Sequence, residues 1–328
     1  MSQIIIFYSP LAKNASADEL DVMDEVAFFQ DALNLLGYTP INLAFPYNLI
    51  QLKQIITKFQ PAFVVNLVET LFADGRLVHI GPFLFEHCGL QFTGCSAHAM
   101  YLSSHKILAK EYMKSKGILT PPFFTFQELK KQNKLLIDSY YLVKSVWEHA
   151  SFGLHEDQKL LYNDKTELLE CFSNKKHPEN YFCEQYIHGR EFNVSLIGGA
   201  EGALVLPVAE MYFDYPDDKP RILGYKAKWE EDSFEYKHTS RTFDFENQDK
   251  TLLDKLKSIS LQCWEVFGLK GYARVDFRVD ESGKIYVLEI NANPCISAQS
   301  GFVAATQQTG LKNTEVVKRI MDDMMQIG

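Results

Sequence analysis

The sequence has no C-x-x-C pair, no excess of basic charge, and no apolar run near the ~20 residues a membrane-spanning helix needs. Each absence removes a class. Six cysteines lie singly, mostly in apolar surroundings such as Tyr181-Phe182-Cys183, without metal-ligand spacing. They read as reduced thiols of a cytoplasmic protein, not as a disulfide framework. With 33 basic and 42 acidic residues the net charge is −9, which argues against general nucleic-acid binding. Local charge can still oppose the global sign, so a small anionic ligand stays open. The N-terminus, MSQIIIFYSP, lacks a basic leader and reads as a first strand, not as a signal peptide. No internal repeat or low-complexity segment interrupts the chain.

What is present is a globular composition, 46% hydrophobic over 328 residues, enough for two or three domains. The first ~95 residues alternate strand and helix signals. Strands are predicted at 4–8, 40–45, 63–68 and 91–93, with helices over 18–36 and 77–88. That order favours a parallel sheet covered by helices. One helix is predicted from about 96 to 116. The breakers in GILTPPFF place a junction near 117–122. Beyond it the pattern turns antiparallel, with strands at 141–146, 181–187, 191–197 and 204–211. A helix is predicted over 248–267 and a last one over 314–325. The fold class is α/β with α+β character in the second half, in three domains: 1–95, 96–187 and 188–328.

The stretch YARVDFRVDESGKIYVLEINANP, residues 272–294, reads as a hairpin turning at Asp280-Glu281-Ser282-Gly283-Lys284. Arg274 and Asp276 share a face, as do Glu289 and Asn291. Tight pairing puts Asp276 opposite Glu289 and Arg274 opposite Asn291. Three of the four are hard oxygen ligands. Mg²⁺ typically takes one or two carboxylates and completes its octahedron with water and phosphate. Two carboxylates 4 Å apart repel by about 4 kcal/mol at an effective dielectric of 20, a sign that a cation reverses. The alternative is an internal ion-pair cluster in which Arg274 satisfies both acids.

ARVDF…VLEINANP resembles the C-terminal signature of the ATP-grasp ligases, and most closely that of the D-alanine–D-alanine ligases. Arg274, Asp276, Glu289, Asn291, Pro294 and Ser300 match its positions. The resemblance implies a three-domain ATP-grasp fold with the nucleotide between two α+β lobes. It also implies companions upstream. Lys106, after the FTG of residues 92–94, and Lys144, ending the strand YLVK, take the places of the two triphosphate lysines. Ser151 and Gly153 fit the loop that covers the phosphates. Glu184, Gln185, Tyr186 and Ile187 match the adenine segment, and Glu191 the acid that holds the ribose. Lys228 matches a lysine reaching the γ-phosphate, with Lys226 the neighbouring alternative.

By the same resemblance the activity is ATP-dependent joining of a carboxylate to an amine through an acyl phosphate. Asp276, Glu289 and Asn291 would hold two Mg²⁺ ions, or Mn²⁺ in their place. Arg274 and the backbone N–H of Cys295 would stabilise the oxyanion. A nucleophilic role for the Cys295 thiol finds no support in the sequence. The substrates are small molecules, with no nucleic acid or membrane involved; a homodimer is left open. The amino-acid pockets depart from the family pattern. YSPLAKNASADELD replaces a glycine-rich loop, VNLVETLFADG replaces a histidine-glycine pair, and Gly301 stands where a bulky residue is usual. Glu69, Arg76 and Ser300 are the substrate-contact candidates, and the loop from Tyr212 to Lys228 is a candidate lid. A small-metabolite kinase and a nucleotide-binding protein without turnover are the rival readings.

Overall fold

The structure, a computed structural model, describes residues 3–325 except 13–14, 73, 133–134, 136–138 and 148–158. Among the described residues the strands form three sheets. In the first, β1 (Gln3–Tyr8) lies between β2 (Thr39–Ala44) and β3 (Phe63–Leu67), all parallel. Ile4 to Phe7 are fully buried because both faces of β1 are covered. Ile4 and Ile6 pack with Val26 and Phe29 of helix Val22–Leu35. Ile5 and Phe7 pack on the other side with Leu52 and Phe85. Leu52 belongs to a helix, Leu49–Phe59, capped by Asn48, that the sequence reading left unassigned. The strand predicted at 91–93 is reduced to one bridge, Val64 to Phe92.

The second sheet is antiparallel. Here β4 (Phe123–Thr125) and β5 (Tyr141–Ser145) flank β6 (Tyr181–Gln185). Helix Lys165–Ser173 covers it through Leu168 and Phe172.

The third sheet contains β7 (Gly189–Ile197), β8 (Leu204–Val205), β9 (Ala209–Phe213), β10 (Thr239–Thr242), β11 (Tyr272–Asp280) and β12 (Ile285–Asn291). Its order is β10-β9-β7-β11-β12, with β8 on β7. Val194, Val275 and Phe277 point to one face and meet Leu256 and Cys263 of helix Lys250–Phe267. Strand alternation sends Glu191, Asn193, Arg274, Asp276 and Arg278 to the opposite face.

The helix predicted over 96–116 is two, Ala97–Ser104 and Lys106–Ser115. His105 between them is extended, and its Nδ1 accepts from the N–H of Leu108 at 3.2 Å. The break makes Lys106 the first residue of a new helix, with its N–H donating to Val146 O at 2.9 Å. Both helices bury Ala99, Met100, Ala109 and Met113 against the third sheet.

Candidate functional site

The hairpin pairs in the expected register: Arg274 faces Asn291 and Asp276 faces Glu289. A bulge follows at Asp276/Phe277, where Leu288 is the extra residue. Asp280 holds the turn, its Oδ1 accepting from the N–H groups of Ser282 and Lys284.

Four donors fill the oxygens of Asp276. Arg274 donates from Nε at 2.7 Å and Nη2 at 2.8 Å; Asn193 Nδ2 is at 2.7 Å and Asn291 Nδ2 at 3.2 Å. Arg274 therefore satisfies one acid, as an ion-pair cluster would. The other acid, Glu289, pairs with Lys106 at 3.4 Å. The donor set still fits a hard cation. Half a turn of the Asn291 amide replaces its N–H, the longest of the four contacts, with a carbonyl oxygen. Two carboxylates and an amide match Mg²⁺, which leaves the rest of its shell to phosphate and water. Among the described residues no three His, Cys, Asp or Glu side chains cluster to hold a softer metal.

Across from the hairpin, β5 and β6 form the other wall of an open cleft. Lys106, Lys144, Glu184, Gln185, Tyr186, Ile187, Glu191, Lys228, Asp276 and Glu289 all line it. Lys144 donates to Glu184 at 2.7 Å, and Lys110 pairs with the other oxygen of the same carboxylate. Glu184 is buried; desolvation would raise its pKa, but the two ammonium groups hold it below the usual carboxylate range. Burial works against Lys144 as well, yet Glu184 keeps its pKa above the ordinary value. Glu184 thus orients lysines by its side chain. At the end of β6, the N–H groups of Gln185 and Tyr186 donate to Pro122 O and Tyr140 O. That of Ile187 makes no backbone bond among the described residues.

Glu191 is bound by Arg278 at 2.7 Å, both side chains nearly buried. Arg278 also donates to the carbonyls of Gly189 and Arg221 and lies over the Tyr186 ring. The segment after β9 is thereby drawn over the cleft, where Ile222, Leu223 and Lys228 complete the lining. Lys228, not Lys226, faces the cleft; burial, then the charge of Arg274, lowers its pKa.

Residues 112–322 match the family model described as D-ala D-ala ligase C-terminus, more than half of the chain. The chain belongs to the D-alanine–D-alanine ligase family. Among its relatives is an uncharacterized protein, y4sG, of Sinorhizobium fredii (strain NBRC 101917 / NGR234). It is 30% identical over 263 residues, spanning 79% of this chain and 73% of that one. The D-alanine–D-alanine ligase of Aquifex aeolicus (strain VF5) is 30% identical over 240 residues, 73% of this chain and 75% of that one. The fold is shared with the D-alanine–D-alanine ligase of Bacillus anthracis solved with ATP. That likeness has a TM-score of 0.73 at 17% identity and covers 100% and 98% of the two chains. As a member of this ligase family the protein is an ATP-dependent carbon–nitrogen ligase that uses a divalent cation and acts on small molecules. No helix among the described residues is long and apolar enough to cross a membrane.

The remaining candidates of the ligase site are scattered. Ser151 and Gly153 lie outside the described residues. Arg76 does not line the cleft: it is exposed within the 3-10 turn Gly75–Leu77 and forks onto Asp74 at 2.6–2.9 Å. Ser300 caps helix Gly301–Gln308, its Oγ accepting from Val303 N–H at 3.2 Å. The Glu69 N–H donates to Ser9 Oγ at 2.8 Å, and the Glu69 carboxylate raises the pKa of buried Glu25. Cys295 donates from Sγ to Asp21 at 2.8 Å, and burial, then Glu25 and Asp21, push its thiol pKa far upward. A thiol so disfavoured as thiolate is no nucleophile.

Three site residues escaped the sequence reading: Lys110, Asn193 and Arg278. Each had a signal. Lys110 is four residues, one helical turn, beyond Lys106. Asn193 and Arg278 are each two residues beyond an assigned acid, hence on the same strand face.

Proposed function

We propose that the protein joins a small carboxylic acid to an amino-acid-like amine, with the phosphates of ATP bound between the hairpin and β5. The register that sets Asp276 against Glu289, with Lys106 at 3.4 Å from Glu289 and Lys144 on the facing wall, carries this reading. Lys106, Lys144 and Lys228 would neutralise the triphosphate, while Glu184 holds Lys144 in place. Ser151 and Gly153 would cover the phosphates, Ile187 would offer its N–H to the adenine, and Glu191, braced by Arg278, would take the ribose.

Asp276, Glu289 and Asn291 would hold two Mg²⁺ ions, or Mn²⁺. Bound there, the cations would neutralise charge on the phosphates during transfer to the substrate carboxylate. The amine would then attack the acyl phosphate and phosphate would leave. Arg274 keeps Nη1 without a partner among the described residues, so that donor is available for the oxyanion, together with the Cys295 N–H. Glu69 and Ser300 remain substrate candidates, and the segment from Tyr212 to Lys228 would close over the substrates.

We also read the three sheets as three lobes divided near residues 95 and 187, although helices 97–104 and 106–115 pack on the third sheet. Six free thiols suit the cytoplasm. ADP release across a matrix of amino acids and small acids, with mass spectrometry of products, tests the reaction. The expected outcome is an amide with ADP and phosphate; a stable phosphoester in its place defeats the reading. Glu289→Ala should abolish turnover in a protein that still folds. Near-normal turnover at saturating Mg²⁺ would remove Glu289 from the metal site.

A further inference from the structure

Arg241 takes no part in the chemistry described so far. It faces Met211 across β10 and β9, and Met211 faces Glu191 across β9 and β7. Residues directly opposite share a face, so Arg241 rises from the same face as Arg274 and Asp276. Arg274 is neutralised by its fork onto Asp276. Arg241 has no ion pair or hydrogen bond among the described residues. Desolvation of its guanidinium, and then the positive charge of Arg274, lowers its pKa.

An arginine on an edge strand ordinarily extends its head into water. Arg241, although exposed, lies along the backbone of Gly301. A Cβ at Gly301 would stand 3.0 Å from Arg241 Nη2 and 3.3 Å from Cζ. The absence of a side chain at 301 is what leaves room for the guanidinium beside Ser300. An uncompensated planar fork in that position, on the same sheet face as Arg274, suits a carboxylate or phosphate that accepts two parallel hydrogen bonds.

We propose, building on the ligase reading, that the substrate seated against Arg274 and Ser300 carries an anionic group beyond its α-carboxylate, and that Arg241 binds it. The acceptor is then an acidic or phosphorylated amino acid. Alanine, with one carboxylate, would leave Arg241 unsatisfied.

Calorimetry on the full chain with Mg²⁺ and a non-hydrolysable ATP analogue tests this. The probes are alanine, aspartate, glutamate and phosphoserine, each in both enantiomers. At least one anionic probe should bind about tenfold or more tightly than alanine, the scale of a charge-assisted bidentate contact. Arg241→Ala should erase that advantage and leave the alanine affinity within about twofold. Gly301→Ala should weaken the same probe part of the way by displacing the guanidinium. Whether carboxylate or phosphate is the natural group follows from which probe wins. Equal binding of all probes, no binding of any, or an advantage that survives Arg241→Ala overturns the proposal. Because the readout is binding, failure of every substrate pair to release ADP would defeat the ligase reading and leave the anion preference to stand or fall separately.

Discussion

At the scale of single residues, the electrostatics of the cleft are organised around one buried carboxylate. Glu184 is 1% exposed and meets two ammonium groups, Lys144 on its own sheet and Lys110 from helix Lys106–Ser115. Lys110 is buried too, and desolvation outweighs Glu184 to lower its pKa. It also donates at 2.9 Å to Thr120 Oγ1 and to Leu288 O, the carbonyl of the bulged residue. Removing one partner of a buried pair leaves a charge without compensation. Lys110→Met is expected to cost about 3 kcal/mol in urea unfolding. A loss under about 1 kcal/mol would mean that Lys144 alone suffices for Glu184. The sequence contained Lys110 one turn past Lys106, but nothing in it showed that the Glu184 carboxylate would sit between Lys110 and Lys144.

At the scale of elements, the turn from β6 into β7 sets which β7 side chains meet the hairpin. Gly189 has φ +137°, and a Cβ on it would lie 2.1 Å from Val279 O. No side chain fits there without moving β7 from β11. The row Arg278–Glu191 and the row Asp276–Asn193 both depend on that pairing. Gly189→Ala is therefore expected to destabilise the protein by about 2 kcal/mol. It should also weaken nucleotide binding by shifting Glu191. Unchanged melting and an unchanged Kd for ATP would refute this role for the turn. Both the hairpin and its register were legible in the sequence, because alternation and a Ser-Gly turn leave few ways to pair. The bulge at Leu288 and the break at His105 were not. Each is decided by a contact from elsewhere: Lys110 on the Leu288 carbonyl, and Val146 O on the Lys106 N–H.

At the scale of the whole molecule, the first and third sheets are joined through acids. Glu25, on helix Val22–Leu35, accepts the Ile296 N–H at 2.8 Å in the segment after β12. Asp21 accepts from Cys295. The helix Asn313–Met325 packs Val316, Val317 and Ile320 into the core of the first sheet, with Ile4, Ile6 and Phe29. Burial, and then the charges of Glu69 and Asp21, raise the Glu25 pKa well above its ordinary value. A raised carboxyl pKa means that the folded state binds the proton more tightly than the unfolded chain. Its contribution is complete below the ordinary carboxylate range and is lost as pH rises through the folded value. Glu25→Gln mimics the protonated form and can still accept from Ile296. Its melting temperature should exceed that of the parent by about 2 °C or more at pH 8, with little difference at pH 5. A difference that is the same at both pH values would show that Glu25 does not titrate across this joint.

What the sequence determined by itself was local and periodic. It specified the buried first strand, the antiparallel hairpin with its acids in register, and the lysines and acids at family spacing. These follow from side-chain alternation and turn chemistry, which act over a few residues. Only the tertiary structure decided which charges neutralise which. Glu184 binds two lysines, Glu191 binds Arg278, Cys295 is held by Asp21, and Arg241 is left beside Gly301 with no partner among the described residues. Pairing depends on burial and on distance in space, and elements far apart in the chain set both.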